Sequence, residues 1–203
     1  MSLDTASPLT PGIGRWALFV MHWRAKILLF LGKRSSATRV FQDVLLLVPK
    51  DLLALNSLGF SAMHDGHFVL ALTYFEQVAE LSPESSNAHF NWAFVCRELG
   101  QLEDAERGFR AAIAIEEKMD RAWYGLGLVL VQQGRFEDAV VALKRNTQLQ
   151  PMSPFGWYQL ARVHVDLKQD DEALLVIRHL KGFEPKVAAQ LERETGLKVG
   201  SLS

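Results

Sequence analysis

The chain has 203 residues, 49% of them hydrophobic, with a formal net charge of −1 and one cysteine. That length suits one or two domains with a sizeable core; the near-neutral balance gives no reason to expect nucleic acid as a partner, and a lone Cys96 excludes an intramolecular disulfide framework. The charge is unevenly spread: residues 1–50 hold seven Lys and Arg against two Asp and Glu, and the rest hold 15 against 21. This points to an anionic partner or surface near the N-terminus.

Met1 to Gly14 is rich in Ser, Thr, Pro and Gly and reads as a flexible lead-in, with a first segment of 1–15. It lacks the basic-then-apolar order of a secretion signal. The run from Trp16 to Leu31 is mostly apolar, but His22, Arg24 and Lys26 interrupt it, and it is shorter than the ~20 residues that cross a bilayer. We read it as a helix that does not span a membrane. Trp16, Phe19, Val20, Trp23, Ile27, Phe30 and Leu31 share one face, expected to pack on Val40–Val48. Leu18, Met21, Leu28 and Leu29 widen that face beyond one intramolecular contact. Trp16, Phe19, Trp23 and Phe30 are therefore also read as an association surface for a dimer mate, a membrane protein or the membrane surface itself.

From Ser35 onward, helical patterns alternate with short turns. The expected pairs are 18–31 with 35–48, 52–65 with 68–81, 86–99 with 102–115, 120–133 with 136–149, and 154–167 with 170–182. Asp51 and Ser86 are the expected helix caps. Pro185 opens one more helix, Lys186 to Thr195, whose polar face would close the array, and Gly196 to Ser203 should fray.

Laid out with a period of 34 residues from Leu18, these segments fall into columns. One column reads Ala25, Gly59, Ala93, Gly127, Ala161; another reads Ala37, Ala71, Ala105, Ala139, Ala173. A third is always large and apolar: Phe41, Phe75, Phe109, Leu143, Ile177. Small residues allow two helices to approach, and the large one fills the space beside that contact. The turn column is Gly32, Gly66, Gly100, Gly134 and Lys168, and the closing column is Pro49, Pro83, Glu117, Pro151 and Pro185. Glycine can end the first helix in the left-handed conformation, and proline stops the second.

This pattern resembles the tetratricopeptide repeat family, with Trp123, Leu126, Gly127, Gly134, Ala139 and Pro151 lying near the family consensus. The first repeat departs from it at Arg24 and Arg34, the third at Glu117 and the fifth at Lys168. The resemblance implies an all-α, right-handed solenoid of about five helical hairpins (18–51, 52–85, 86–119, 120–153 and 154–187) within 16–187. A capping helix and tail, 186–203, would follow. It also implies that the first helix of each repeat lines a concave face. Repeat two would supply Leu53, Asn56, Ser57, Phe60, Met63 and His64, and repeat three Asn87, Phe90, Asn91, Phe94, Arg97 and Glu98. Repeat four would supply Arg121, Tyr124, Gly125, Leu128, Val131 and Gln132, and repeat five Phe155, Tyr158, Gln159, Arg162, Val165 and Asp166. Such a face combines amides for a peptide backbone, aromatic rings for apolar anchors and guanidinium forks for carboxylates. Some of these residues should instead pack between repeats. Phe60 and Gly125 break the family's clamp for acidic chaperone tails.

Catalytic signals are weak. Gly32-Lys33-Arg34-Ser35 lacks the upstream glycine of a phosphate loop, and Gly125 and Gly127 lie inside a helix. His64 and His67 flank a turn without metal-site spacing, and His164 takes a core position as a partly buried structural histidine. No nucleophile–base–acid set can be assembled, so no enzyme, cofactor or metal is expected. The expected function is an adaptor that holds a peptide, loop or helix of another protein. The alternatives are a chaperone shielding an apolar client segment, and a membrane-peripheral subunit docked through Trp16–Leu31. The expected location is cytoplasmic or membrane-peripheral.

Overall fold

The computed structural model describes residues 14–200. The expected flexible segment therefore lies almost wholly outside the described residues. Among those described, eleven α-helices occur and no strand. The chain divides after Pro83 into two compact units.

The first unit holds α1 (Arg15–Phe30), α2 (Arg34–Leu47), α3 (Leu52–His64) and α4 (Phe68–Leu81). Its core joins Ala25, Ala37, Val40, Phe41, Val44, Ala54 and Leu58, with Leu18, Met21 and Leu28 packed against them. This corrects the expected packing of α1. The stripe headed by Trp16, Phe19, Trp23 and Phe30 faces out, because Ala25, on the opposite side of the helix, is the residue small enough to meet α2. Asp51 does cap α3: its Oδ1 accepts from the Ala54 amide at 2.8 Å and lies 3.1 Å from His22 Nε2 of α1.

The second unit holds α5 (Ser86–Glu98), α6 (Leu102–Ile115), α7 (Asp120–Gln132), α8 (Phe136–Leu149), α9 (Pro154–Asp166), α10 (Asp170–Phe183) and α11 (Pro185–Thr195). Here the cap of α5 is Ser85, whose Oγ accepts from the Ala88 amide at 3.3 Å, and not Ser86 as expected. Ser86 sits one residue inside the helix, buried, and its hydroxyl donates to the Glu116 carboxylate at 2.6 Å.

Both units use the same joints. Phe41, Phe75, Phe109, Leu143 and Ile177 are buried, as is every alanine of the Ala37 column. The small column is a seat for the large one. A Cβ on Gly59 would stand 2.8 Å from a ring carbon of Phe75, and one on Gly127 would stand 2.7 Å from Leu143. Every first helix then ends in the same left-handed turn, with φ of 71° at Gly32, 78° at Gly66, 75° at Gly100, 73° at Gly134 and 57° at Lys168. The following amide reaches back five residues in each case: Lys33 to Leu28, His67 to Ala62, Gln101 to Cys96, Arg135 to Leu130, Gln169 to His164, all at 2.8–2.9 Å. This is the hydrogen bond that defines a Schellman cap. Lys168 adopts it without glycine's freedom, at a cost of about 1–2 kcal/mol.

The closing turn without proline is held by side chains. The Trp123 indole donates to the Glu117 carbonyl at 2.8 Å, and Arg145 pairs with the Glu117 carboxylate at 2.7 Å. Trp157 repeats the first bond, donating to the Pro151 carbonyl at 2.9 Å. At the C-terminal end, Ala188 and Leu191 of α11 are buried. Within the segment expected to fray from Gly196, the described residues turn back onto α10 and α11. Val199 is only 6% exposed; its amide donates to Glu192 at 3.0 Å and its carbonyl accepts from Lys181 at 3.3 Å. Residues 201–203 lie outside the described residues.

Candidate partner-binding face

In the second unit, the residues expected to form a binding face lie on α5, α7 and α9. None of Asn87, Phe90, Asn91, Phe94, Arg97, Arg121, Tyr124, Leu128, Tyr158 and Arg162 is buried. Asn87 and Arg121 occupy the same column one period apart. The Arg121 guanidinium donates to the Asn87 side-chain oxygen and lies 4.4 Å above the Phe90 ring centroid. Phe90 in turn sits 6.4 Å from Phe94 and 5.7 Å from the buried Phe109 of α6. Arg97 covers Phe94 at 5.1 Å and pairs with Glu98. Arg162 lies 5.9 Å from Tyr158. The result is a series of cation–aromatic pairs rooted on the core through Phe90.

Two residues differ from expectation. Gly125 is buried and contributes nothing to the face, because Phe109 covers it: a Cβ there would stand 2.5 Å from two ring carbons. Tyr158 is tied down, since its hydroxyl donates to Glu194 of α11 at 2.6 Å. That bond raises the Tyr158 pKa above its usual value, with burial adding to it, and lowers that of Glu194, which also accepts from Gln190. Glu194 belongs to the helix read only as a cap, and its phase relative to α9 was invisible in the sequence.

In the first unit, Phe60 is exposed and meets Phe75 edge-on at 5.1 Å. Phe60 and Met63, with Leu29, Arg34, Ser57, Ser61 and His64, line a cleft of about 390 Å³. Asn56 is half-buried and spends one amide proton on the Leu52 carbonyl of its own helix, at 2.8 Å. On α1, Trp16 is 73% exposed, Phe19 49%, Trp23 53% and Phe30 91%.

His164 is more deeply placed than expected. It is 2% exposed, its Nδ1 lies 2.7 Å from Gln169 Oε1, and Nε2 has no hydrogen-bond partner. His64 is exposed and lies 3.3 Å from Asp65. Among the described residues, no group of three or more His, Cys, Asp or Glu side chains is arranged to hold a metal ion. No helix among them is long and apolar enough to cross a membrane.

A family model described as a tetratricopeptide repeat matches residues 97–154. Superkiller complex protein 3 of Homo sapiens is 31% identical over 118 residues, 57% of this chain; the chain spans 7% of that protein's length. The structure of MamA is similar with a TM-score of 0.77 at 18% identity, covering 90% of this chain and 97% of MamA. That of YrrB, described as a TPR protein with an unusual peptide-binding site, is similar at 0.76 and 16% identity, covering 85% and 90%. The fold class is all-α, an array of helical hairpins of the solenoid type.

Proposed function

Because the chain belongs to the tetratricopeptide repeat family, we propose that it is a non-enzymatic adaptor holding a segment of another protein. The face of α5, α7 and α9 is the site, with Asn87, Phe90, Asn91, Phe94, Arg97, Arg121, Tyr124, Leu128, Tyr158 and Arg162 as its residues. Phe60 and Met63 give the first unit a smaller apolar seat of its own, with Asn56 on the same helix as an amide contact. The observation that carries this reading is the setting of Arg121. Its partners are a neutral carboxamide and an aromatic ring, so a ligand carboxylate meets a guanidinium held in place without an acidic residue to displace. Phe94 of α5 and Tyr124 of α7 offer half-buried rings for an apolar anchor. The peptide-binding site ascribed to YrrB supports the same use of the fold.

The fitting ligand is an extended or helical peptide with an apolar side chain close to a carboxylate. Peptides selected from a random displayed library on the full chain provide the probe. Phe94→Ala or Tyr124→Ala should weaken their binding by about 2 kcal/mol or more, and Arg121→Ala should act mainly on acidic ligands, less so at high salt. Glu103→Ala, on the second helix of the same hairpin, should change nothing. Equal affinity in all four variants would remove the face from consideration.

A further inference from the structure

Among the described residues of the first unit, none packs over the outward side of α1. The inner side is taken up by Ala25, buried against the core, with Leu18, Met21 and Leu28 around it. Opposite them stand Trp16, Phe19, Trp23, Ile27 and Phe30, all exposed. Trp16 stacks on Phe19 at 5.4 Å, and Phe19 meets Trp23 at 6.1 Å. The helix is thus apolar on two opposite sides, and the described residues cover only one.

Charge identifies what covers the other. At about 100° per residue, Arg24 falls on one border of the outward stripe and Arg15 and Lys26 on the other. Lys33 and Arg34 follow at the C-terminal end of the helix, and no Asp or Glu occurs between Gly14 and Gln42. A second copy is a poor occupant: two such faces laid together bring Arg24 and Lys26 of each helix beside those of the other. No carboxylate on α1 or the first half of α2 is available to compensate. An anionic lipid surface fits all three features. Its phosphates meet the flanking cations, whose aliphatic stems lie along the apolar border, and the rings enter the region between headgroup and acyl chain. Crossing is excluded by length, since 16 residues rise about 24 Å against a core of about 30 Å.

We propose that the outward face of α1 seats in the interface of an anionic phospholipid bilayer, with the helix axis in the membrane plane. The seating does not rest on peptide binding by α5, α7 and α9 as its premise. The test is co-sedimentation of the full chain with vesicles of phosphatidylcholine plus phosphatidylglycerol, against phosphatidylcholine alone. Sedimentation velocity is run alongside without lipid. Wild type should partition to the anionic vesicles on the order of tenfold better than to the neutral ones. Trp23→Glu with Phe30→Glu, and separately Arg24→Gln with Lys26→Gln, should each lose about tenfold or more while Trp23→Phe keeps binding. All four positions are exposed, so circular dichroism melts should match wild type; if the Glu pair melts early, the Gln pair decides. Wild type left in the supernatant, or pelleting equally with both double variants, overturns the proposal. So does a lipid-indifferent dimer that the Glu pair dissociates, which would assign the face to a second copy.

Discussion

Adding one methyl group at Gly125 sets two effects against each other. In a helix interior Gly→Ala ordinarily stabilises by about 1 kcal/mol. Here the new Cβ would stand 2.5 Å from two ring carbons of Phe109, where ordinary contact needs about 3.5 Å or more, so the ring must retreat by roughly 1 Å. It has little room to do so, being fully buried, with the Phe90 ring a further neighbour at 5.7 Å. Overpacking of this kind costs about 1–3 kcal/mol, and the net expectation for Gly125→Ala, set against the helix-propensity gain, is a loss of about 1 kcal/mol within a range of about 0–2, or a Tm lower by about 2–4 °C. Phe109→Leu alone leaves a void and should cost about as much. In the double variant the methyl and the void offset each other, so the combined loss should fall short of the sum by about 1 kcal/mol. Urea and thermal unfolding followed by circular dichroism give all four corners of the cycle, with coincident probes checking that each variant unfolds in one step. Gly125→Ala melting above wild type, or strict additivity, would refute this account of how the third and fourth hairpins join.

Two more expectations follow from the backbone and from charge. Lys168→Gly relieves a left-handed lysine (φ 57°) and should raise stability by about 0.5–1 kcal/mol, read as a higher Tm; an unchanged or lower Tm would count against strain at that turn. The Tyr158–Glu194 bond joins a tyrosine whose pKa is raised above 10.0 to a glutamate whose pKa is lowered below 4.5. Its contribution should be lost as pH falls through the folded value of Glu194 and again as pH rises through that of Tyr158. Melting curves of wild type and Tyr158→Phe should therefore differ near neutrality and converge at both extremes; a constant difference would show that the bond contributes nothing.

The joints of the fold were legible because each depends on a side chain that close packing leaves little choice about. Every alanine of the Ala37 column is buried against its neighbours. Lys168 shows the register outranking the residue: the array imposes the turn even where glycine is missing. What stayed hidden depends on direction or on contacts far apart in sequence. An apolar residue reads the same on either side of a helix, so periodicity did not say which face of α1 meets α2, although Ala25 in the small column was the available signal. Ser85 and Ser86 are equally good caps by type, and the phase of α5 selects the first. The return of Val199 onto Glu192 and Lys181 needs three elements to be in place together.

The same period that constrains the core leaves the face free, and this locates specificity. Columns that pack hardly change along the chain: five alanines in one, only alanine or glycine in another. The column holding Arg121 reads Leu53, Asn87, Arg121 and Phe155, which is apolar, amide, cationic and aromatic in turn. A position whose side chain must fit between two helices tolerates little variation, because each added methylene forces a shift. A position directed away from the hairpin core carries no such demand, and its chemistry is set by what it touches outside. Where two such residues one period apart engage each other, as Asn87 and Arg121 do, adjacent repeats present one composite feature instead of two copies of the same one. The binding chemistry of an array like this one is therefore read along its variable columns, once the fixed columns have established the register.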